Sequence, residues 1–241
     1  MDLHHHKNPK FIHHQNTIST ALIREAVFGM EDGMVSTFGA ITGIATSTGN
    51  PFTVIVSGCI IIAVESISMA VGSYLSSKSE RAIDERKLEE EKIELSQYPH
   101  EEKEELIGMY LVEGWPKQLA REMAEVASSN KKLFLKEMAI HELKVFPDDM
   151  ESPFKNAIAM GLSYVIGGMI PLLPYMLLSL PTAIYLSIPV TLLGLFILGI
   201  ITTRYSKRSW WKAGLEMLVL GAIAAGVGYG VGEVVGGSIK K

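Results

Sequence analysis

The sequence predicts an all-α integral membrane protein with five transmembrane helices and a three-helix cytosolic insert between spans two and three. Two long runs, 34–64 and 156–203, contain no charged residue, and one span needs about 20 predominantly apolar residues. A third run, 213–238, is rich in Gly and Ala and carries two acids, a composition that suits a closely packed membrane helix. Between the first two runs, residues 78–155 hold most of the 26 acidic side chains, which predicts an insert in water.

The charge pattern divides the chain into four segments. Residues 1–17 form a flexible His-containing N-terminus, 18–77 hold transmembrane helices 1 and 2, 78–152 form a cytosolic acidic domain, and 153–241 hold transmembrane helices 3 to 5. Residues 78–155 hold 19 acids and 13 bases, a net charge of −6, and the rest of the chain has a net charge of +2, so the excess negative charge lies in the acidic domain. Membrane lipid is an expected partner because of the apolar runs. Nucleic acid is not an expected partner, because the sequence has no basic stripe. The N-terminal histidines are expected in a mobile tail, with weak metal binding as the alternative.

Span one is predicted near residues 18–46. Glu25 and Asp32 are seven residues apart and therefore share one helix face. An acid within a bilayer costs a few kcal/mol and indicates function. Asp32 precedes the long apolar run and is predicted to line a transport pathway, whereas Glu31 is expected in water at the interface. Glu25 fits either position.

Span two is predicted near residues 52–77, after a short STGNP turn. Glu65 and Met69 are four residues apart and share a face, so a carboxylate and a thioether are available together. A thioether is a soft ligand that favours transition metals over Mg²⁺ or Ca²⁺. Simple packing is the alternative for the methionine. No Gly or Pro lies between Ser73 and Tyr98, so one helix is predicted to continue to about Gln97.

The other two insert helices are predicted near residues 100–112 and 117–145, separated by Gly-Trp-Pro. Candidate metal ligands recur in the insert at spacings of three or four, which place each pair on one helix face. They are Glu91, Glu94, Glu102, Glu105, Met138 and Glu142. Clustered carboxylates need cations to offset their repulsion. A solvated acidic face interspersed with Lys is the alternative.

Spans three and four follow Pro153, and Pro189 is predicted to kink span four. Span five is predicted near residues 211–235, with Glu216 and Glu233 at the interfaces. Lys and Arg are concentrated before span one, in the insert and between spans four and five, and they are absent from the loops after spans one and three. The positive-inside rule therefore predicts a cytosolic N-terminus and insert, with the C-terminus on the opposite side.

Four stretches together resemble the vacuolar iron transporter family: DGMVSTFGAITGI, ISMAVGSYLSSKSE, the acidic insert ending in MAIHE, and YVIGGMIPLLPYML. The presence of the insert makes the chain similar to the type with a cytosolic metal-binding domain. The resemblance implies a homodimer that exports Fe²⁺ from the cytosol in exchange for protons. Mn²⁺, Co²⁺, Ni²⁺ and Zn²⁺ are further candidates, and no organic cofactor is implied. It also implies the cell membrane in a prokaryote or the vacuolar membrane in a eukaryote.

The resemblance assigns roles to individual positions. It implies a transport pathway at Asp32, Met69 and Glu25, and it implies the six insert ligands named above. The chain departs from the family pattern at two positions. Ile61 stands where the family can carry a glutamate, and Glu65, one turn later, is our candidate substitute. Ala139 stands where the insert often has a second methionine, and whether His141 compensates is open.

Two other classes of function are compatible with the residues. One is a membrane-tethered di-iron oxidase, but such four-helix sites use Glu-x-x-His pairs and the chain has none. The other is a passive cation channel gated by the insert as a metal sensor. The transporter interpretation predicts no enzymatic activity.

Overall fold

The computed structural model describes residues 20–147, 150, 152–206 and 208–239, with the side chains of 181, 205, 206 and 236–239 left aside. The regular elements within these ranges are helices, and no strand occurs among them, which agrees with the predicted all-α class. In chain order they are α1 Thr20–Thr48, α2 Pro51–Gln97, α3 Pro99–Val112, α4 Lys117–Ser128, α5 Lys131–His141, α6 Pro153–Leu177, α7 Leu180–Ser206 and α8 Trp210–Ile239.

The helices belong to two compact units. The span unit comprises Met1–Ser73 and Phe154–Lys241, and the insert unit comprises Tyr74–Pro153. The uninterrupted helix α2 begins in the span unit and ends in the insert unit. Its continuity follows from the absence of Gly and Pro beyond Ser73, as the sequence predicted.

Four helices of the described chain are long and apolar enough to cross a membrane. These spans lie within Pro51–Gln97, Pro153–Leu177, Thr182–Arg204 and Trp210–Val235. Helix α1, the predicted first span, is not among them. It carries Glu25, Glu31 and Asp32 in its first half and many Thr and Gly in its second half. The four apolar helices show a membrane protein.

Helix α1 packs closely against α8 through small residues. A Cβ atom at Gly228 would overlap the carbonyl oxygen of Gly39, and one at Gly232 would overlap that of Gly43. Each helix therefore presents two glycines four residues apart, the spacing that lets membrane helices approach at backbone distance. On another face, a Cβ at Gly33 would overlap the carbonyl oxygen of Tyr164 in α6. Helix α1 thus packs closely against α8 on one face and α6 on another.

The insert unit has its own apolar core, formed where α3, α4 and α5 meet. Its buried members are Leu106, Ile107, Tyr110, Ala120, Ala124, Ala127, Phe134 and Met138. The small Ala side chains of α4 recur on one face at helical spacing, and they allow α4 to lie close to α3 and α5.

The predicted third insert helix, 117–145, is wrong as a single element. The structure breaks it into α4 and α5 at Ser129 and Asn130. The Asn130 side chain accepts hydrogen bonds from the backbone N–H groups of Lys132 and Leu133, so it caps a new helix. Asn is among the most favoured N-cap residues. With the end of α2, the described residues of the insert therefore form four helical segments and not three.

Candidate metal centre

Three carboxylates converge in the insert unit from three different helices. Glu91 lies near the end of α2, Glu102 in the first turn of α3, and Glu142 directly after α5. One oxygen from each lies within 4.8 Å of the other two. Glu91 is 2% exposed and Glu102 is 7% exposed, whereas Glu142 is exposed. Two of the three carboxylates are therefore buried in a group that is open to water on one side.

Two buried oxygens of this cluster lack a hydrogen-bond partner, although Glu91 also shares hydrogen bonds with Glu142 and Glu102. Glu91 Oε1 and Glu102 Oε2 are buried and have no hydrogen-bond partner among the described residues. Most buried polar atoms are hydrogen-bonded, and a buried charge is normally paired or bound to a metal. Since oxygen ligands from several elements are what divalent cations bind, the donor set fits a cation.

The pKa values of all three carboxyl groups in the cluster are raised. Burial, and then repulsion from Glu142 and Glu102, raises the pKa of Glu91 to about 8. Burial is also the main cause that raises the pKa of Glu102 and that of Glu142. Glu91 therefore retains a proton at neutral pH in the absence of a cation. A divalent ion must displace this proton to bind, which makes metal affinity dependent on pH.

The other predicted insert ligands lie around this cluster in different ways. Glu94 and Glu105 are exposed, and both are near enough to Glu142 to raise its pKa by charge repulsion. Met138 is fully buried in the apolar core, where its carbonyl oxygen accepts a hydrogen bond from the Glu142 N–H at 2.8 Å. The structure thus brings the carboxylates together and places the methionine side chain in the core beneath them.

A second carboxylate is held within the span unit. Glu65 of α2 accepts a hydrogen bond from Ser36 Oγ of α1 at 3.1 Å and another from the hydroxyl of Tyr164 in α6. Asp32 is partly buried and lies within electrostatic range of Glu65. Met69, one turn after Glu65, is also partly buried. Three helices therefore meet at Glu65.

The sequence reasoning missed Ser36 and Tyr164. Tyr164 is completely buried, and it lies in an otherwise apolar run, where a phenol needs a hydrogen-bond partner. That isolated phenol was the available signal, but sequence alone could not identify its partner on another helix.

The remaining acids of the spans have separate environments. Glu25 is 7% exposed. It accepts a hydrogen bond from Ser73 Oγ at 2.7 Å and pairs with Arg24 at 3.1 Å. Glu31, expected in water, is partly buried in the described chain. Glu216 is exposed and pairs with Arg208 at 3.1 Å, while Glu233 is exposed on α8. The N-terminal histidines lie outside the described residues.

The similarity of this chain to known proteins extends over both the span unit and the insert unit. The sequence model of the VIT family matches residues 23–233. Vacuolar iron transporter 1 of Oryza sativa subsp. japonica is 28% identical over 232 residues, which are 96% of this chain and 90% of that protein. Vacuolar iron transporter 1 of Arabidopsis thaliana is 28% identical over 92% of this chain and 90% of its own length. Vacuolar iron transporter of Plasmodium falciparum (isolate 3D7) is 28% identical over 91% of this chain and 84% of its own length.

Proposed function

The chain belongs to the VIT family, and from that premise we propose that it exports Fe²⁺ from the cytosol in exchange for protons. Mn²⁺ and other divalent transition metals are further substrates in this proposal. Relatives that align over most of the chain are named iron transporters. These names support a transport function and not an enzymatic one.

The convergence of Glu91, Glu102 and Glu142 is the observation that carries the proposal. Their oxygens lie within 4.8 Å of one another, and two buried oxygens lack hydrogen-bond partners. In our proposal this cluster captures cytosolic Fe²⁺, with Glu94 and Glu105 adding negative charge around it, while Met138 stays in the apolar core. Capture raises the concentration of metal bound to the protein when free metal is scarce.

The spans provide the second part of the proposal. We assign α1 as a further span, the first in chain order, because it packs against α6, α7 and α8, with Glu25 buried and Asp32 partly buried. Asp32, Glu65 and Met69 then form a dehydrating site in the pathway, with Glu25 further along the same face of α1. The protein acts as a homodimer, with its N-terminus and insert in the cytosol and its C-terminus on the opposite side.

Exchange follows from competition for the same carboxylates. A charged acid in the membrane is costly unless it is paired, so each pathway acid binds either a proton or a metal ion. Metal binding releases protons, and protons that arrive from the far side expel the metal. The membrane is the cell membrane in a prokaryote or the vacuolar membrane in a eukaryote.

The test is Fe²⁺ uptake into proteoliposomes under anaerobic conditions, with and without an opposing proton gradient. We expect Fe²⁺ uptake to require the proton gradient. Equal uptake rates with and without the gradient would contradict proton exchange and favour a passive channel. Asp32→Ala should abolish uptake. Glu233→Gln, which changes an exposed acid on α8, is the matched control and should transport normally. Normal transport by the Asp32 variant would remove this residue from the pathway.

A further inference from the structure

Of the three acids in the metal cluster, Glu142 is the one that lies outside a helix. It directly follows α5, a helix of 11 residues, and its side chain is exposed. Glu91 and Glu102, in contrast, are buried within α2 and α3. Helix ends fray, and isolated helices as short as α5 are marginal in water. The position of Glu142 therefore depends on what holds the last turn of α5.

His141, the last residue of α5, links this turn to the end of α3. Its Nδ1 atom is 2.6 Å from Oε1 of Glu113, the residue directly after α3. An ionised carboxylate accepts hydrogen bonds and cannot donate them, so Nδ1 donates to Glu113. This hydrogen bond lowers the pKa of Glu113, as expected when the charged form of an acid is the one that is bound.

The other ring nitrogen of His141 faces a second carboxylate. Nε2 is 3.4 Å from Oε2 of Glu137, and the Tyr110 hydroxyl donates a hydrogen bond to the same oxygen at 2.8 Å. The rings of Tyr110 and His141 meet edge to face, with centroids 5.1 Å apart. Tyr110 belongs to the buried core of the insert, so the imidazole rests on a fixed part of α3.

The backbone after Glu142 is held in the same region. Lys144 has a φ of 55°, in the left-handed range, and the Val145 N–H donates a hydrogen bond to the Ala139 carbonyl oxygen at 2.9 Å. The side chain of Val145 is buried. Glu142 is therefore flanked by two fixed points, the His141 ring before it and the Val145 turn after it.

We propose that His141 is a positioning residue, which holds the end of α5 so that Glu142 meets the two buried acids of the cluster. Both of its ring nitrogens face carboxylates, so it does not serve as a ligand in place of the second methionine that Ala139 replaces. Groups that orient metal ligands typically contribute about 10–100-fold to metal affinity. The inference rests on metal capture by the cluster, as in the proposed function, and does not depend on transport.

The experiment is a double-mutant cycle on the full chain in detergent, with Mn²⁺ as the probe and electron paramagnetic resonance to measure the free ion. The Mn²⁺ bound by the cluster is the fraction that Glu91→Gln with Glu102→Gln removes. His141→Phe keeps an aromatic ring but removes both nitrogens, so we expect it to weaken this Mn²⁺ about tenfold. In a Glu142→Gln background the same change should weaken it less than about twofold further, because His141 acts through Glu142.

The matched control is Glu125→Gln, which breaks a different ion pair between insert helices, the one with Lys103. It should leave Mn²⁺ affinity unchanged. If His141→Phe unfolds the insert, as measured by circular dichroism, Glu113→Ala repeats the cycle at a side chain that is 38% exposed. It should also lower affinity, and only while Glu142 is present.

Two results would overturn the positioning role. One is unchanged Mn²⁺ affinity in the folded variant, and the other is an equal loss of affinity with and without Glu142, which would indicate a general weakening of the insert. A wild-type chain with no Mn²⁺ at the cluster would instead overturn the capture site of the proposed function, and this inference with it.

Discussion

Glu91→Gln should make the metal-free protein more stable at neutral pH and less able to bind metal. Burial and neighbouring acids raise the pKa of Glu91 from 4.5 to about 8. The folded state therefore holds a proton that the unfolded state releases, and the stability contributed by the neutral form is lost as pH rises from 4.5 through 8. At pH 7 this loss amounts to about 3 kcal/mol, at 1.36 kcal/mol for each pH unit above 4.5.

Glutamine is neutral at every pH, so the variant avoids this loss and also lowers the repulsion on Glu102 and Glu142. The assay is denaturant unfolding of the full chain in detergent with chelator at pH 5 and pH 8, followed by the fluorescence of Trp115 in a background where Trp210 and Trp211 are phenylalanine. We expect the wild type to be less stable at pH 8 than at pH 5 and the variant to have a much smaller difference.

Added metal should reverse the order of stability. Binding to the folded state stabilises by mass action, and the intact cluster binds more tightly, so Mn²⁺ at pH 8 should stabilise the wild type more than the variant. Glu89→Gln is the matched control, because Glu89 is on the exposed surface of the same helix and pairs with Lys92 at 3.1 Å. An equal pH dependence in wild type and the Glu91 variant would refute the argument.

Three other changes test the spans and the insert. Tyr164→Phe removes a donor to Glu65, and because a hydrogen bond to a charged group is worth about 1.5–3 kcal/mol, a metal ion should bind Glu65 more tightly and leave it more slowly, so that Fe²⁺ uptake slows about tenfold; an unchanged rate would contradict a role for this contact. Gly228→Ala should lower the melting temperature in detergent by overpacking α1 against α8, at a cost of about 1–3 kcal/mol, whereas Gly226→Ala, where a Cβ meets nothing within 4 Å, should not. Asn130→Ala should destabilise the insert by about 1 kcal/mol through loss of the N-cap, measured as a shift in the denaturant midpoint.

The sequence predicted those elements whose type and length depend on residues within one continuous segment. Apolar runs located the four helices that are long and apolar enough to cross a membrane, and the absence of Gly and Pro past Ser73 predicted the long α2. The break at Asn130 was also present in the sequence, as Ser-Ser-Asn before Lys, but the helical periodicity on both sides obscured it. Spacing placed Glu91 and Glu102 on helix faces, yet which faces meet depends on the packing of Leu106, Tyr110 and Phe134 in the insert core.

Which acids of α1 are buried also depends on how the helices pack, and the sequence does not specify this packing. Glu25 would be a solvated surface acid at a water interface, but in the structure it accepts a hydrogen bond from Ser73 Oγ at 2.7 Å. The sequence does not specify which helix covers it. The glycines of α1 and α8 indicated close packing of membrane helices in general. Their pairing, Gly39 with Gly228 and Gly43 with Gly232, required the structure.

The two carboxylate sites differ in how their charge is satisfied, and this difference suits different steps of transport. Glu91 and Glu102 have buried oxygens without partners, so a cation gains the full benefit of satisfying them and should remain bound. Glu65 already accepts hydrogen bonds from Ser36 and Tyr164, so a cation there replaces or shares existing donors and gains less. Passage through a membrane requires sites that bind strongly enough to admit an ion and weakly enough to release it. If Glu65 lines the transport pathway as we propose, its hydroxyl partners Ser36 and Tyr164 would keep metal binding there weak, while the unpartnered buried oxygens of Glu91 and Glu102 would favour retention.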